Sequence, residues 1–330
     1  MLRDLTKRAL LGSGALSLAA RLKPPAALIL MYHSVRANPA EDQAWVAPGI
    51  THSTKVFASH MELVARQFNP VSLDQILLFL EGRMKLPRQP VAVTFDDGYL
   101  DNVQEAAPVL QRFAIPAAFY LATSVIGELE VPWFCRVRHA FLTTRATTWQ
   151  SSELTWDLTT AVSRDAAMQV AYDACATLAG ESQRRAVDRI EQELRAECSR
   201  PARRLMMNWG EAKTLHRAGH ILGSHTVTHP NLAHLPDEKL LRAELMESKR
   251  QIEAHLDAPV VHFSYPHPAL TPQWNQNTLE ATRHAGYTSA ITTTRGPVRR
   301  GADPLLLTRT GVPHSHNGFA WTLERAFLRS

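Results

Sequence analysis

Short apolar runs separated by amphipathic stretches set the rhythm of this chain. Residues 27–32 (ALILMY) follow Pro24-Pro25, residues 90–93 (PVAV) lead into TFDDG, and further runs fall at 115–121, 219–222, 260–265 and 289–292. Continuous apolar runs of this length predict strands buried on both faces. Between them, residues 54–68, 72–81, 101–112, 208–217, 236–256 and 275–284 carry helical periodicity, with Ser72 as a natural N-cap. Strand and helix in strict alternation predict parallel strands joined by crossover helices, an α/β fold. The rhythm breaks between about 128 and 205. There, 147–149 and 154–156 read as a hairpin, and 163–178 and 181–197 as two polar-faced helices. We read this stretch as a mainly helical insertion on one face of the fold, with Trp133, Trp149 and Trp156 as core anchors or ligand-stacking platforms. The chain then divides into an N-terminal basic and apolar segment, 1–25, and a domain, 26–330, carrying the insertion.

Composition narrows the picture. A length of 330 residues, 45% apolar and 20% charged, suits one large globular domain. The net charge of +5 is spread over scattered arginines with no long basic run, which argues against a nucleic-acid partner. Three cysteines, Cys135, Cys175 and Cys198, are odd in number and lack CxxC spacing, so neither a disulfide framework nor a thiolate zinc site is expected. The first twenty residues carry Arg3, Lys7 and Arg8 ahead of a small apolar stretch. This fits a short signal peptide with a weak cleavage site near Ala19 or Ala20, or a basic segment lying against a membrane. The unpaired cysteines favour the second reading. With it goes a cytoplasmic or membrane-associated location and peripheral membrane contact through residues 1–23.

The chemistry sits at the ends of two predicted strands. Asp96 and Asp97 close the 90–95 run side by side, where burial and like charge make two carboxylates costly unless a cation or unequal roles relieve them. About 130 residues later, His225 and His229 stand four apart just after another apolar run. One carboxylate and two imidazoles are the usual protein share of an open catalytic metal site, which leaves the second carboxylate free to act as a base.

With these motifs in place, the chain resembles the NodB-type polysaccharide deacetylases, carbohydrate esterase family four, in the branch acting on exopolysaccharides. TFDDG (94–98) and SHTVTH (224–229) match that family's two main motifs residue for residue. Met31-Tyr32-His33, Phe263-Ser264-Tyr265-Pro266 and 307–312 (LTRTGV) resemble its opening, third and closing motifs. The resemblance covers about residues 26–126 and 205–315. It implies a distorted (β/α)7 barrel related to the TIM barrel, with its site at the C-terminal strand ends. It also implies metal-dependent removal of N-acetyl groups from amino sugars of a polysaccharide or lipid-linked glycan.

By the same resemblance Asp97, His225 and His229 hold one divalent metal, expected to be Zn2+, with Co2+, Ni2+ or Fe2+ as substitutes in such a donor set. Asp96 is the general base. The His267 backbone N–H, within the Tyr265-Pro266-His267 segment, faces the oxyanion. The general acid is His314 or His33, with His316 behind them. Two departures stand out: Ser264 replaces the arginine that orients the base, and His267-Pro268 replaces an aromatic-glycine pair. Arg309 on the closing strand is the candidate to take over the missing arginine's work. The competing readings are a deacylase of another small amide or imide, and a carbohydrate-binding module with a decayed site.

Overall fold

Strands that are apolar on both faces need cover on both, and this chain supplies it by closing its sheet on itself. The computed structural model describes residues 25–127, 131–151, 154–196 and 200–328, together with three isolated positions before residue 25. Seven parallel strands form the barrel. They are β1 (Ala26–Tyr32), β2 (Pro90–Phe95), β3 (Ala117–Leu121), β4 (Ile221–Ser224), β5 (His262–Ser264), β6 (Ser289–Arg295) and β7 (Leu307–Gly311). Each pairs with the next, and β1 closes the ring by pairing with both β2 and β7. The ring is uneven: β5 meets β4 at a single residue pair, and the register between β6 and β7 shifts between Ile291 and Arg295. The expected (β/α)7 barrel is therefore present, distorted on its β4–β7 side.

Alternation along the strands separates two layers. Val91, Val93 and Phe95 of β2 face outward, where they join Phe57, Phe119 and Phe263 beneath the helices. Ala92 faces inward with Ile29, Tyr120, Ile291 and Leu307. The Phe95 ring stacks on Phe119 at 4.8 Å and on Tyr32 at 5.6 Å. Truncating a buried phenylalanine of this kind costs about 3–5 kcal/mol. Local signals start the helices: Ser72 with Gln75, and Asn208 with Glu211, each form a reciprocal capping box. The helix expected from residue 101 opens as a wide π turn over Asn102–Ala106 before becoming α-helical at Ala107–Arg112.

The insertion builds a core of its own from Trp133, Phe141, Trp149, Met168, Val187 and neighbours. An antiparallel pair, Thr148–Ser151 with Leu154–Asp157, and two helices, Ala161–Ala176 and Gly180–Glu193, lie close to where the sequence placed them. Two helices were not anticipated. Trp133–Thr143 buries Trp133, Val137, Ala140 and Phe141, and the C-terminal helix His316–Leu328 buries Phe319, Leu323, Ala326 and Phe327. Both carry helical spacing, but each is short and follows a proline-bearing loop that hides its start. Trp133 and Trp149 are core anchors, buried in the insertion, with Trp156 packed against them. Cys135 and Cys175 are free and buried, and burial pushes each thiol up to about 12, which keeps them unreactive. Cys198 and nearly all of the N-terminal segment lie outside the described residues. Among the described residues no helix is long and apolar enough to cross a membrane.

Candidate metal and hydrolytic site

Past the outward-facing Phe95, Asp96 continues the inner row of β2 and the chain then turns sharply. Asp97 takes φ 76° and Gly98 φ 90°. At φ 90° an L side chain at position 98 would be strained, and its Cβ would also crowd Ile126 Cδ1 at 2.7 Å, so the turn that presents Asp97 favours glycine next to it. After β4, Thr226 (φ 69°) and His229 (φ 57°) also sit in the left-handed region. Non-glycine residues there cost on the order of 1–3 kcal/mol each and persist only where neighbours fix them. The fixing groups are visible. Glu244 accepts hydrogen bonds from the Val227 and Thr228 amides, both at 2.8 Å, and from the Thr228 hydroxyl at 2.6 Å. Thr226 Oγ1 accepts from the His229 amide at 3.0 Å, and Trp133 Nε1–H donates to the His229 carbonyl at 3.2 Å.

The turn and the loop bring three ligand atoms together. His225 Nε2 and His229 Nε2 lie 3.2 Å apart, and they stand 3.6 Å and 3.3 Å from Asp97 Oδ1. His225 Nδ1–H donates to the Ser264 carbonyl at 2.7 Å, which leaves the His225 Nε2 lone pair facing the cluster. All three residues are buried, and Asp97 Oδ1 has no hydrogen-bond partner. Two atoms each ~2.0–2.1 Å from a tetrahedral zinc lie roughly 3.3–3.4 Å apart, so the donor set and its spacing fit such an ion. The protonation states suit a ligand set as well. Burial lowers His225 to about 4, keeping its imidazole neutral. Burial alone would raise Asp97, but the His229 imidazole, with His33 and His225, holds its carboxyl far below the usual range.

The second acid is held differently. Arg309, inside the barrel on β7 and 1% exposed, places Nη1 at 2.7 Å and 2.9 Å from the two oxygens of Asp96. Its Nε–H is fixed on the Thr292 carbonyl at 3.0 Å. Ser264 Oγ lies 3.4 Å from Asp96 Oδ1, so the position that carries an arginine in the family pattern here offers one weak hydroxyl contact. Burial would raise the Asp96 pKa, yet the Arg309 charge, followed by His225 and His33, outweighs it and keeps the carboxyl ionised.

The remaining candidates separate by position. His33 Nε2 stands 3.9 Å from Asp96 Oδ2. His314 is exposed and stacks on His52 at 4.3 Å, and the exposed His316 opens the C-terminal helix. The Tyr265 ring, expected within the substrate segment, packs outward against Phe263, and its amide is taken up by the Ile291 carbonyl. The reason is strand parity, which turns Ser264 inward and Tyr265 out. Pro266 is buried, and the exposed His267 ring contacts the Leu270 carbonyl at 2.9 Å. The loop-holding roles of Glu244 and Trp133 escaped the sequence reading because both act on loop backbone, for which periodicity carries no signal.

The insertion also walls the site. A cavity of about 310 Å3 runs from Asp97 and His229 to Pro132 and Phe134, and the Phe134 ring lies 5.0 Å from that of His229. Trp133→Phe keeps an aromatic ring but removes the donor to the His229 carbonyl. Metal affinity, read by competition with a chelating dye, is expected to fall on the order of tenfold, as for lost supporting bonds at metal sites. Unchanged affinity would assign Trp133 to the insertion core alone.

Comparison with known proteins agrees with this architecture. A family model described as polysaccharide deacetylase matches residues 83–290, more than half of the chain. YxkH of Bacillus subtilis (strain 168), whose name assigns it provisionally to the polysaccharide deacetylases, is 31% identical over 107 residues, 32% of this chain. That match spans only 35% of the relative's own length. Among solved structures, the Streptococcus pyogenes deacetylase PplD in complex with acetate covers 91% of this chain and 99% of its own, with TM-score 0.60 and 16% identity. IcaB from Ammonifex degensii covers 91% and 98%, with TM-score 0.59 and 20% identity. The deacetylase domain of BpsB from Bordetella bronchiseptica covers 88% and 98%, at 0.53 and 18%. At such identities the structures establish a shared fold.

Proposed function

This chain belongs to the polysaccharide deacetylase family, and from that premise we propose that it is a metal-dependent hydrolase removing N-acetyl groups from amino sugars of a glycan. The observation that carries the reading is one barrel mouth holding two carboxylates in unequal settings. Asp97 faces two imidazoles, while Asp96 faces a buried guanidinium. Asp97, His225 and His229 would hold a divalent cation, which would supply Lewis-acid polarisation and acidify water at the site.

The chain's own residues handle the protons. Asp96, kept ionised by Arg309, accepts the proton of the attacking water, and the two contacts from Nη1 fix the carboxylate plane while this happens. His33, close to Asp96 and partly open to solvent, is placed to deliver a proton to the departing amine. One water is consumed, the C–N bond breaks, and acetate and a free amino sugar result. A decayed binding module would have no need to keep four such groups converged and buried.

The test is acetate release from a panel of N-acetylated oligosaccharides, with metal analysis of the same preparation. About one divalent ion per chain is expected. Chelation should abolish release and added Zn2+, Co2+ or Ni2+ restore it. Release that survives complete removal of metal would overturn the reading.

A further inference from the structure

A separate cavity of about 460 Å3 lies against the barrel mouth on the His33 side, and His33 is the one proposed hydrolytic group among its lining residues. Its walls come from the ends of β1, β6 and β7 and from the C-terminal helix, His316–Leu328. Its formal charge has one sign. Arg295, the last residue of β6, and Arg325 on the helix both line it, and no aspartate or glutamate does. Both arginines are exposed, and among the described residues neither forms an ion pair with a carboxylate. Arg325 lies over the Trp321 ring at 5.6 Å, and Thr310 and Thr322 add hydroxyls to the wall.

Arginine binds carboxylate and phosphate through a planar fork of N–H donors. We propose that this cavity is an anionic subsite. It takes a carboxylate or phosphate carried by the glycan next to the sugar whose amide is cut. The placement of the cut sugar rests on the deacetylase reading, and His33 joins the two regions because it lines this cavity and approaches Asp96.

Binding to the intact protein, measured by isothermal titration calorimetry, tests the subsite without needing turnover. Three probes share one N-acetylated disaccharide: neutral, extended by a uronate, or carrying an alkyl phosphodiester. An anionic probe is expected to bind at least tenfold tighter than the neutral one at low ionic strength, with the advantage shrinking as salt screens it. The better anionic probe identifies the source, a uronate within the glycan or a phosphodiester at its end. The double variant Arg295→Gln/Arg325→Gln should lose the advantage while keeping its neutral-probe affinity and metal content, and Arg295→Lys/Arg325→Lys should recover part of it. Equal binding of all three probes, or a glutamine variant that keeps the preference, would overturn the subsite. A protein that binds the anionic probe tightly yet releases no acetate would remove the deacetylase reading and leave the subsite standing.

Discussion

Asp96→Asn is expected to retain its metal and lose turnover by ~10²-fold or more, the scale of a missing general base. Asp97→Asn, His225→Ala and His229→Ala are expected to lose most of the metal itself, since each removes one of three protein ligands. The split follows from geometry. Asp97 Oδ1 faces His225 Nε2 and His229 Nε2 with no hydrogen-bond partner, whereas both Asp96 oxygens contact the Arg309 guanidinium. An asparagine at 96 keeps the shape and a carbonyl acceptor toward Arg309 but cannot take up a proton at neutral pH. Metal content by mass spectrometry and acetate release, measured on one preparation of each variant, separate the outcomes. Loss of metal in Asp96→Asn would mean that the two acids exchange or share their roles.

The division between the two acids is partly legible in the amino-acid sequence. Pro90–Phe95 is apolar at every position but one, which demands cover on both faces and so a strand inside a parallel sheet. Once β2 is such a strand, alternation sends Asp96 to the same face as Ala92 and Thr94, and Gly98 marks the turn on which Asp97 leaves it. The same parity on β7 turns Arg309 inward with Leu307, where its charge reaches Asp96 across the barrel. What alternation does not encode is the loop after β4. Its left-handed Thr226 and His229 are held by Glu244, from the helix Glu238–Leu256, and by Trp133 from the insertion. Those partners are remote in sequence and bind backbone atoms, so side-chain pattern says nothing of them. Tyr265 shows the converse case. Its motif neighbours pointed to the site, while strand parity, readable from Phe263 and Ser264, already turned its ring away.

Arg309→Met is expected to combine a stability loss with a catalytic one, and pH tells them apart. The guanidinium is 1% exposed and pairs with a carboxylate that is itself buried. Removing one partner of such a pair typically costs about 3–5 kcal/mol, because the other charge is left without compensation. Methionine preserves much of the apolar stem, so the deficit reports charge more than volume. The sign of the pH effect follows from the same pair. Asp96 is held below the usual carboxylate range because Arg309, with His225 and His33, outweighs the upward push of burial. The pair's contribution to wild-type stability is therefore present above the unfolded carboxylate pKa and is lost as pH falls through the folded one. Without the guanidinium, burial prevails and the Asp96 pKa rises. Proton acceptance requires the ionised form, so the acidic limb of the rate profile moves to higher pH. Turnover near neutrality should fall, while metal content stays at the wild-type level, since Arg309 contacts none of the three ligand side chains among its hydrogen bonds. Thermal denaturation, metal analysis and a full pH–rate profile of Arg309→Met and Arg309→Lys make the check. Lysine should restore part of the low-pH activity by returning the charge, though not the guanidinium's fixed geometry. An acidic limb that stays in place in Arg309→Met would mean that Arg309 stabilises the barrel interior without tuning the base.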